Sequence, residues 1–331
     1  MIKADFPRRH FLSTAAVGFA SLSLAPGGLM AQSWPSKPIR IVVTFPPGGS
    51  SDIVARLLAP SLATSTGQTV VVDNKPGAGA TIGAADVARA APDGYTFMLS
   101  NTAPISLSPF MLDKPPYDPI TSFTHIAYIG SVANCFVVHP SVPAKTLPEF
   151  IAWAKQQSDP INFGSGGVGS IGHIVGEMLK SEAGIKLEHI GYKGSAPMHN
   201  DLVGGVIKFA IDTLPQNIPF IQAGKLRGLA VTSPKRASMA PDLPSVAESG
   251  MNKLVAENFF GLSGPAGLPQ VVVDAMHKHI ATALSDGRVV KTLEDGGIAL
   301  QPMSVEEFRR FVSKQVADWA PAVKASGAKL S

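Results

Sequence analysis

The run Ile39-Arg40-Ile41-Val42-Val43-Thr44-Phe45 leaves this chain few choices of fold. A β-branched stretch of this kind reads as a strand buried on both faces, the habit of parallel sheets. Pro46-Pro47-Gly48-Gly49-Ser50-Ser51 stops it abruptly, and an apolar-periodic helix follows over about residues 52–63. Residues 70–73 read as the next strand, 74–80 as a turn, the stretch to Ala91 as a helix, and 95–99 as a third strand. This β-α-β-α-β order implies a parallel sheet with helices on its faces.

The second half repeats that grammar without repeating the sequence. Residues 136–139 are strand-like, and Thr146-Leu147-Pro148-Glu149 forms a capping-box pattern opening a helix to Gln157. A short strand at 161–163 precedes Gly164-Ser165-Gly166-Gly167-Val168-Gly169-Ser170. A helix is expected at 171–183 and strands at 187–190, 206–211, 226–231 and 259–263. Helices are expected at 269–285 and, behind Ser304 and Glu307, at 305–326. No internal repeat or long linker separates the halves, so the chain is expected to cross between two lobes more than once.

Composition narrows the function. Charged residues are 16%, against about 25% in a typical soluble domain. Gly (32) and Pro (28) are in excess, which fits many short elements joined by tight turns. Lys3, Arg8 and Arg9 against Asp5 place half of the formal net charge of +4 in residues 1–31. No basic cluster with interleaved aromatics is present, so nucleic acid is not an expected partner. Cys135 is the single cysteine, which excludes an internal disulfide and a cysteine-based metal site. It lies in an apolar run and reads as a small buried hydrophobe.

Arg8-Arg9-His10-Phe11-Leu12 opens an apolar, charge-free stretch to Ala25, followed by Pro26-Gly27-Gly28 and then Ala31. That is the layout of a secretory signal, and the Arg pair resembles the twin-arginine export type. Cleavage is expected near Ala31, releasing the mature chain to the periplasm.

Two candidate sites share one local form: strand, glycine-rich loop, helix N-terminus. Such loops let the backbone approach a ligand, and unpaired N–H groups at helix starts bind anions without a formal cation. Each loop is equally readable as a tight turn carrying a Ser or Asp cap. Gly164, Gly166 and Gly169 also match the dinucleotide pattern G-x-G-x-x-G, with Glu188 following at suitable spacing. An exported NADP-dependent oxidoreductase is therefore the alternative reading. No catalytic set emerges: the eight His have no metal-ligand spacing, and no G-x-S-x-G elbow is present. His173, Lys193 and Asp212 are candidate cleft residues, although each is also readable as an ordinary polar position.

An ordered series of short motifs then becomes informative. It comprises Pro38-Ile39-Arg40-Ile41-Val42-Val43, Phe45-Pro46-Pro47-Gly48-Gly49-Ser50-Ser51-Asp52 and Asn74-Lys75-Pro76-Gly77-Ala78-Gly79. Pro92-Asp93-Gly94-Tyr95-Thr96, Gly169-Ser170-Ile171-Gly172-His173, Tyr192-Lys193-Gly194-Ser195-Ala196-Pro197 and Gly264-Pro265-Ala266-Gly267-Leu268-Pro269 complete it. From Trp34 to about Trp319 the chain resembles the substrate-binding proteins of tripartite tricarboxylate transporters, the Bug or TctC-like receptors.

The resemblance implies an α/β fold of the periplasmic-binding-protein type II kind, with two α/β lobes around a cleft joined by crossover strands. The expected division is an export signal at 1–31, one lobe from 32–131 plus 255–331, and the other from 132–254. It also implies a non-catalytic monomer, needing no cofactor or metal, that binds a small carboxylate and serves the membrane components of such a transporter. Carried over by position, the first jaw is Phe45, Pro47, Gly48, Gly49, Ser50 and Asp52. The second is Ser165, Gly166, Val168, Gly169 and Ser170 with His173. Ser100, Asn101 and Thr102 would floor the cleft, Lys193 would line it, and Asp212 matches a strand-end acid able to meet a ligand amino or hydroxyl group. Gly191, Phe259 and Gly172 depart from the pattern, standing where Pro, Trp and Ser or Thr are common. The ligand's identity is therefore not inherited.

Overall fold

The computed structural model describes residues 34–330; the export-signal expectation lies outside the described residues. Strand β1 (Ile39–Val43) pairs in parallel with β2 (Val70–Asn74) and β3 (Thr96–Asn101), with α1 (Ser50–Thr66) and α2 (Thr81–Ala88) as the crossovers. Alternation explains the uninterrupted apolar run of β1. Ile39, Ile41 and Val43 pack on one face against Val54, Leu58 and Leu62 of α1. Val42 turns to the opposite face with Met98, Ala84 and Val87.

Next comes β4 (Phe123–Val138), a strand of 16 residues. At about 3.3 Å per residue it spans roughly 50 Å. Only its last apolar residues are legible from sequence, because Gly130, Ser131 and Asn134 dilute the pattern. Beyond it lie α3 (Leu147–Ala154), β5 (Ile161–Ser165), α4 (Ile171–Ala183), β6 (Leu187–Gly191) and α5 (Ser195–Val203). Strand β7 (Phe209–Thr213), helix α6 (Leu214–Gln222) and strand β8 (Arg227–Val231) complete this half. Strand β5 is parallel to β6 and β7, while β7 and β8 run antiparallel to β4. β7 starts at Phe209, later than expected, since Val206 is 72% exposed in the turn before it. Thr146 caps α3 by accepting from Glu149 N–H, but the Glu149 carboxylate reaches Lys145 N–H and leaves the capping box half made.

The chain then returns along β4. Strand β9 (Glu257–Pro265) pairs antiparallel with β3 on one side and with the first part of β4 on the other. Helices α7 (Gln270–Ala283) and α8 (Gly287–Asp295), the short strand β10 (Ala299–Leu300) and α9 (Val305–Ser326) finish the described chain. Strand order is β2-β1-β3-β9-β4-β7-β5-β6, with β8 and β10 also on β4. The parallel units expected from sequence are thus present in both halves, and an antiparallel seam through β4 and β9 joins them. Among the described residues no helix is long and apolar enough to cross a membrane.

Helix α9 begins with the full Ser304–Glu307 capping box and braces both halves. Its first turns bury Phe308 and Val312 with Val42 and Met98, and its later turns bury Trp319 and Val323 with Phe150, Phe163 and Phe209. Phe308 packs edge-on against Tyr128, His125 and Phe259. Gly261 admits that ring: a Cβ there would lie 2.3 Å from Phe308 Cζ. Phe308→Ala is expected to cost about 3–5 kcal/mol in urea unfolding; a loss below about 1 kcal/mol would contradict this account of the core.

Candidate functional site

The first loop leaves β1 at Thr44 and turns through Gly48, whose φ of +83° lies in the region that favours glycine. Helix α1 starts at Ser50, and its N-cap, Gly49, offers no side-chain acceptor. Asp52 does not line the cleft. Its carboxylate accepts from Gly48 N–H (3.0 Å), Arg56 Nε (2.9 Å) and Asn74 Nδ2 (2.9 Å), while Asn74 Nδ2 also donates to Phe45 O (3.1 Å). Burial alone would raise the Asp52 pKa, but the bonds from Arg56, Gly48 and Asn74 outweigh it and hold the carboxyl below the usual range. Asp52 is therefore a clamp on the loop.

The second loop follows β5. Ser170 caps α4 by accepting from His173 N–H (3.3 Å). The Ser165 hydroxyl ties Gly167 O (3.1 Å) to His189 Nε2 (2.7 Å). His173 Nδ1 accepts from Gly169 N–H (3.2 Å), and its ring stacks on His189 with centroids 3.8 Å apart. Ser165, Gly169 and His173 thus support the loop from behind, and Val168 stands 42% exposed on it. Gly172 presses α4 onto β7: a Cβ there would sit 2.2 Å from Ile211 O, so this backbone has no room for a Ser or Thr.

Between the loops lies a cavity of about 380 Å³. Of the residues named from the sequence, Phe45, Pro47, Gly48, Gly49, Ser50, Gly166, Ser170, Lys193 and Asp212 line it. Ser100, Asn101 and Thr102 are fully buried beneath the lining. Ser100 Oγ accepts from Ser263 Oγ, Asn101 Nδ2 donates to Ser51 Oγ, and Thr102 Oγ1 donates to Glu257 O. The neighbouring lining residue is Ala103. Asn134, Ser195, His199, Thr213 and Gln216 also line the cavity and were not expected there. Early prolines, Pro197 in α5 and Pro215 in α6, were the available signal, because Pro favours the first helical turn.

Four helices, α1, α4, α5 and α6, therefore begin at this cavity. Only Ser170 turns its side chain back as a cap; Gly49, Gly194 and Thr213 do not. Each helix start carries roughly half a positive charge and unpaired N–H groups. Two bonds cross the space: Ser50 Oγ donates to Thr213 Oγ1 (3.3 Å) and Gln216 Nε2 to Gly48 O (3.4 Å). Asp212 is the buried acid of the site, its pKa raised by burial against the opposing influence of the Ser195 hydroxyl, His199 and Thr213 N–H. Among the described residues no group of three His, Cys, Asp or Glu is placed to hold a metal.

The dinucleotide pattern does not carry its geometry here. Gly164 is a packing glycine inside β5, where a Cβ would meet Ile207 Cδ1 at 2.6 Å and Met198 Cγ at 2.8 Å. Glu188 is exposed and pairs with Asn162, at the end of the strands opposite the loop. From there to the loop edge is three residues, roughly 10 Å, too far for one carboxylate to serve a ribose held at the glycines.

Burial lowers the imidazole pKa of His173 to about 4, with Lys180 adding to it, and that of His189 to about 3, with His173 adding to it. A histidine with a depressed folded pKa stabilises the fold above its ordinary value of 6.5, and that contribution drains away as pH falls toward the folded value. The urea midpoint is therefore expected to fall between pH 6.5 and 4, and His189→Gln to flatten that slope. Equal slopes in the two proteins would refute the role given to the stacked pair.

Comparison with known proteins places this geometry. The family model described as "Tripartite tricarboxylate transporter family receptor" matches residues 54–328. Protein BugT of Bordetella pertussis is 33% identical over 321 residues, covering 97% of this chain and 96% of that protein. Among solved structures, periplasmic binding protein BugD superposes with a TM-score of 0.83 at 35% identity, covering 89% of this chain and 99% of that one. R. palustris Rpa4515, solved with adipate, gives 0.83 at 32% identity, with coverage of 89% and 99%. The α/β architecture is accordingly the two-lobed periplasmic-binding-protein fold. With a family match over most of its length and these relatives along nearly all of it, the chain belongs to the tripartite tricarboxylate transporter receptor family, the Bug and TctC-like solute-binding proteins.

Proposed function

We propose that this protein is a periplasmic, non-catalytic receptor that captures a small carboxylate between two lobes and delivers it to the membrane components of a tripartite tricarboxylate-type transporter. The observation that carries the reading is the convergence of four helix N-termini, three without side-chain caps, on one cavity. A carboxylate supplies the acceptors those N–H groups lack, and the helix dipoles favour its charge. Lys193 adds a cation at the wall. The adipate held by Rpa4515 supports the same ligand class for this chain.

In this reading residues 32–131 with 255–331 form one lobe and 132–254 the other, and the protein works as a monomer. The first 31 residues direct export by the twin-arginine route and are removed near Ala31. Closure is a hinge motion, stabilised because the ligand touches both loops at once. The crossing bonds Ser50–Thr213 and Gln216–Gly48 support this, since they already tie the first loop to the wall opposite.

A thermal-shift panel of mono- and dicarboxylates, aromatic acids, amino acids and nicotinamide cofactors tests this. A bound acid at about 100 times its Kd adds about 2.7 kcal/mol of stability. Stabilisation by NADP and by no acid would overturn the receptor reading. Gly166→Asp should abolish acid binding, since its Cβ would lie 3.6 Å from Asp212 Oδ1 and bring a second carboxylate into the cavity. Undiminished affinity in that variant would place the ligand elsewhere.

A further inference from the structure

The second binding loop makes a contact that does not belong to the cavity. Gly166 and Ser170 of this loop line the cavity, whereas Gly169 between them does not. Gly169 is buried, and a Cβ there would lie 3.1 Å from Gly79 Cα, 3.0 Å from Ser108 Oγ and 3.5 Å from Leu330 Cδ2. Its backbone therefore rests on that of Gly79, with Ser108 and Leu330 beside it.

The surface that receives Gly169 has an uncommon backbone. Residues 77–80, between β2 and α2, have φ of +126°, +45°, +61° and +77°, and two of the four are alanines, Ala78 and Ala80. Left-handed φ is uncommon for a residue with a Cβ and persists only where the surroundings impose it. Here Thr81 Oγ1 donates to Ala78 O (2.7 Å) and the Ser108 hydroxyl donates to Gly79 O. Leu330 fills the space over Gly79, where a Cβ would sit 2.7 Å from its Cδ1. Leu330 is itself fixed by its N–H on Met111 O (3.1 Å), after the chain leaves α9 through Gly327 at φ +68°.

The two sides of the contact are complete without each other. Gly169 N–H is taken by His173 Nδ1, Gly79 O by Ser108, and Leu330 N–H by Met111 O. Parting the two sides leaves none of these groups unpaired, so the contact can open and close without that penalty. In the lobe division proposed above, Gly79, Ser108, Met111 and Leu330 belong to one lobe, and Gly169 and His173 to the other.

Building on that two-lobe reading, we infer that this contact is a catch for closure that works without ligand. The turn at 77–80, Ser108 and Leu330 form its seat, and Gly169 is the part received. Ser108 and Leu330 are thus positioning residues for the second binding loop. Such a catch populates the closed form before the ligand arrives, so the ligand's own contacts need to supply less of the closing free energy. It is separate from the Ser50–Thr213 and Gln216–Gly48 bonds, which cross the cavity itself.

The test is the distance between spin labels on Val71→Cys in β2 and Val206→Cys before β7, measured by double electron–electron resonance on the ligand-free protein. Both positions are exposed, and Cys135 is fully buried, so the labels go to the introduced cysteines. The wild type should show mainly one short distance. Leu330→Ala, in the tail beyond α9, and Ser108→Ala should each raise the ratio of long to short distances at least about fivefold, while Leu330→Met, of similar volume, should stay within about twofold of wild type. An unchanged distribution in both alanine variants overturns the catch, as does a ligand-free wild type found mainly at the long distance. Ser50→Ala combined with Gln216→Ala separates the catch from the hinge. If that pair lengthens the distance and the catch variants do not, the hinge reading stands and the catch falls; if no variant moves it, both fall.

Discussion

An α-helix cannot satisfy its own first N–H groups, and the functional half of this structure is arranged around that constraint. Both halves are built from parallel βα units, so β1, β5 and β7 all deliver their carboxyl ends, and the helices that follow, toward one space. Ligands in open α/β sheets sit at this edge for the same reason. The chain needs few formal charges there. Among the residues lining the cavity only Lys193, Asp212 and His199 carry ionisable side chains, and the rest of the wall is backbone, hydroxyl, amide and apolar groups.

The loops have to be kept in shape without occupying the space they enclose. Each is held by a polar set on its far side. Asp52, Asn74 and Arg56 grip the first, and Ser165, His173 and His189 hold the second. The same residue types serve binding and support equally well, so a short motif read along the chain cannot separate them. Direction decides, and direction depends on partners such as Asn74 and His189 that are distant in sequence.

Legibility in the sequence follows the same divide. Elements set by local signals are read closely: α4 runs over the expected residues because Ser170 caps its start and Gly184, at φ +62°, ends it. Strand β1 is legible from its apolar run. By contrast, most of β4 is not, since its pairing with β9, β7 and β8 is long-range and its own pattern is broken by small and polar residues. Helices α5 and α6 are marked in the sequence by little more than their early prolines, and the parts of the cavity at Ser195, Thr213 and Gln216 depend on them. The floor residues Ser100 to Thr102 lie one layer deeper than expected, because strand alternation and the neighbouring β9 turn them into the core.

Helix α9 has a consequence for how the molecule is assembled. Its aromatic and aliphatic side chains are shared between two cores formed by segments far apart in sequence. The middle third of the chain, cut out alone, would lack Trp319 and Val323 and expose the groove they fill. A nascent chain must likewise wait for its last residues before either core can close. Unfolding should accordingly register as one cooperative transition, with neither half melting ahead of the other.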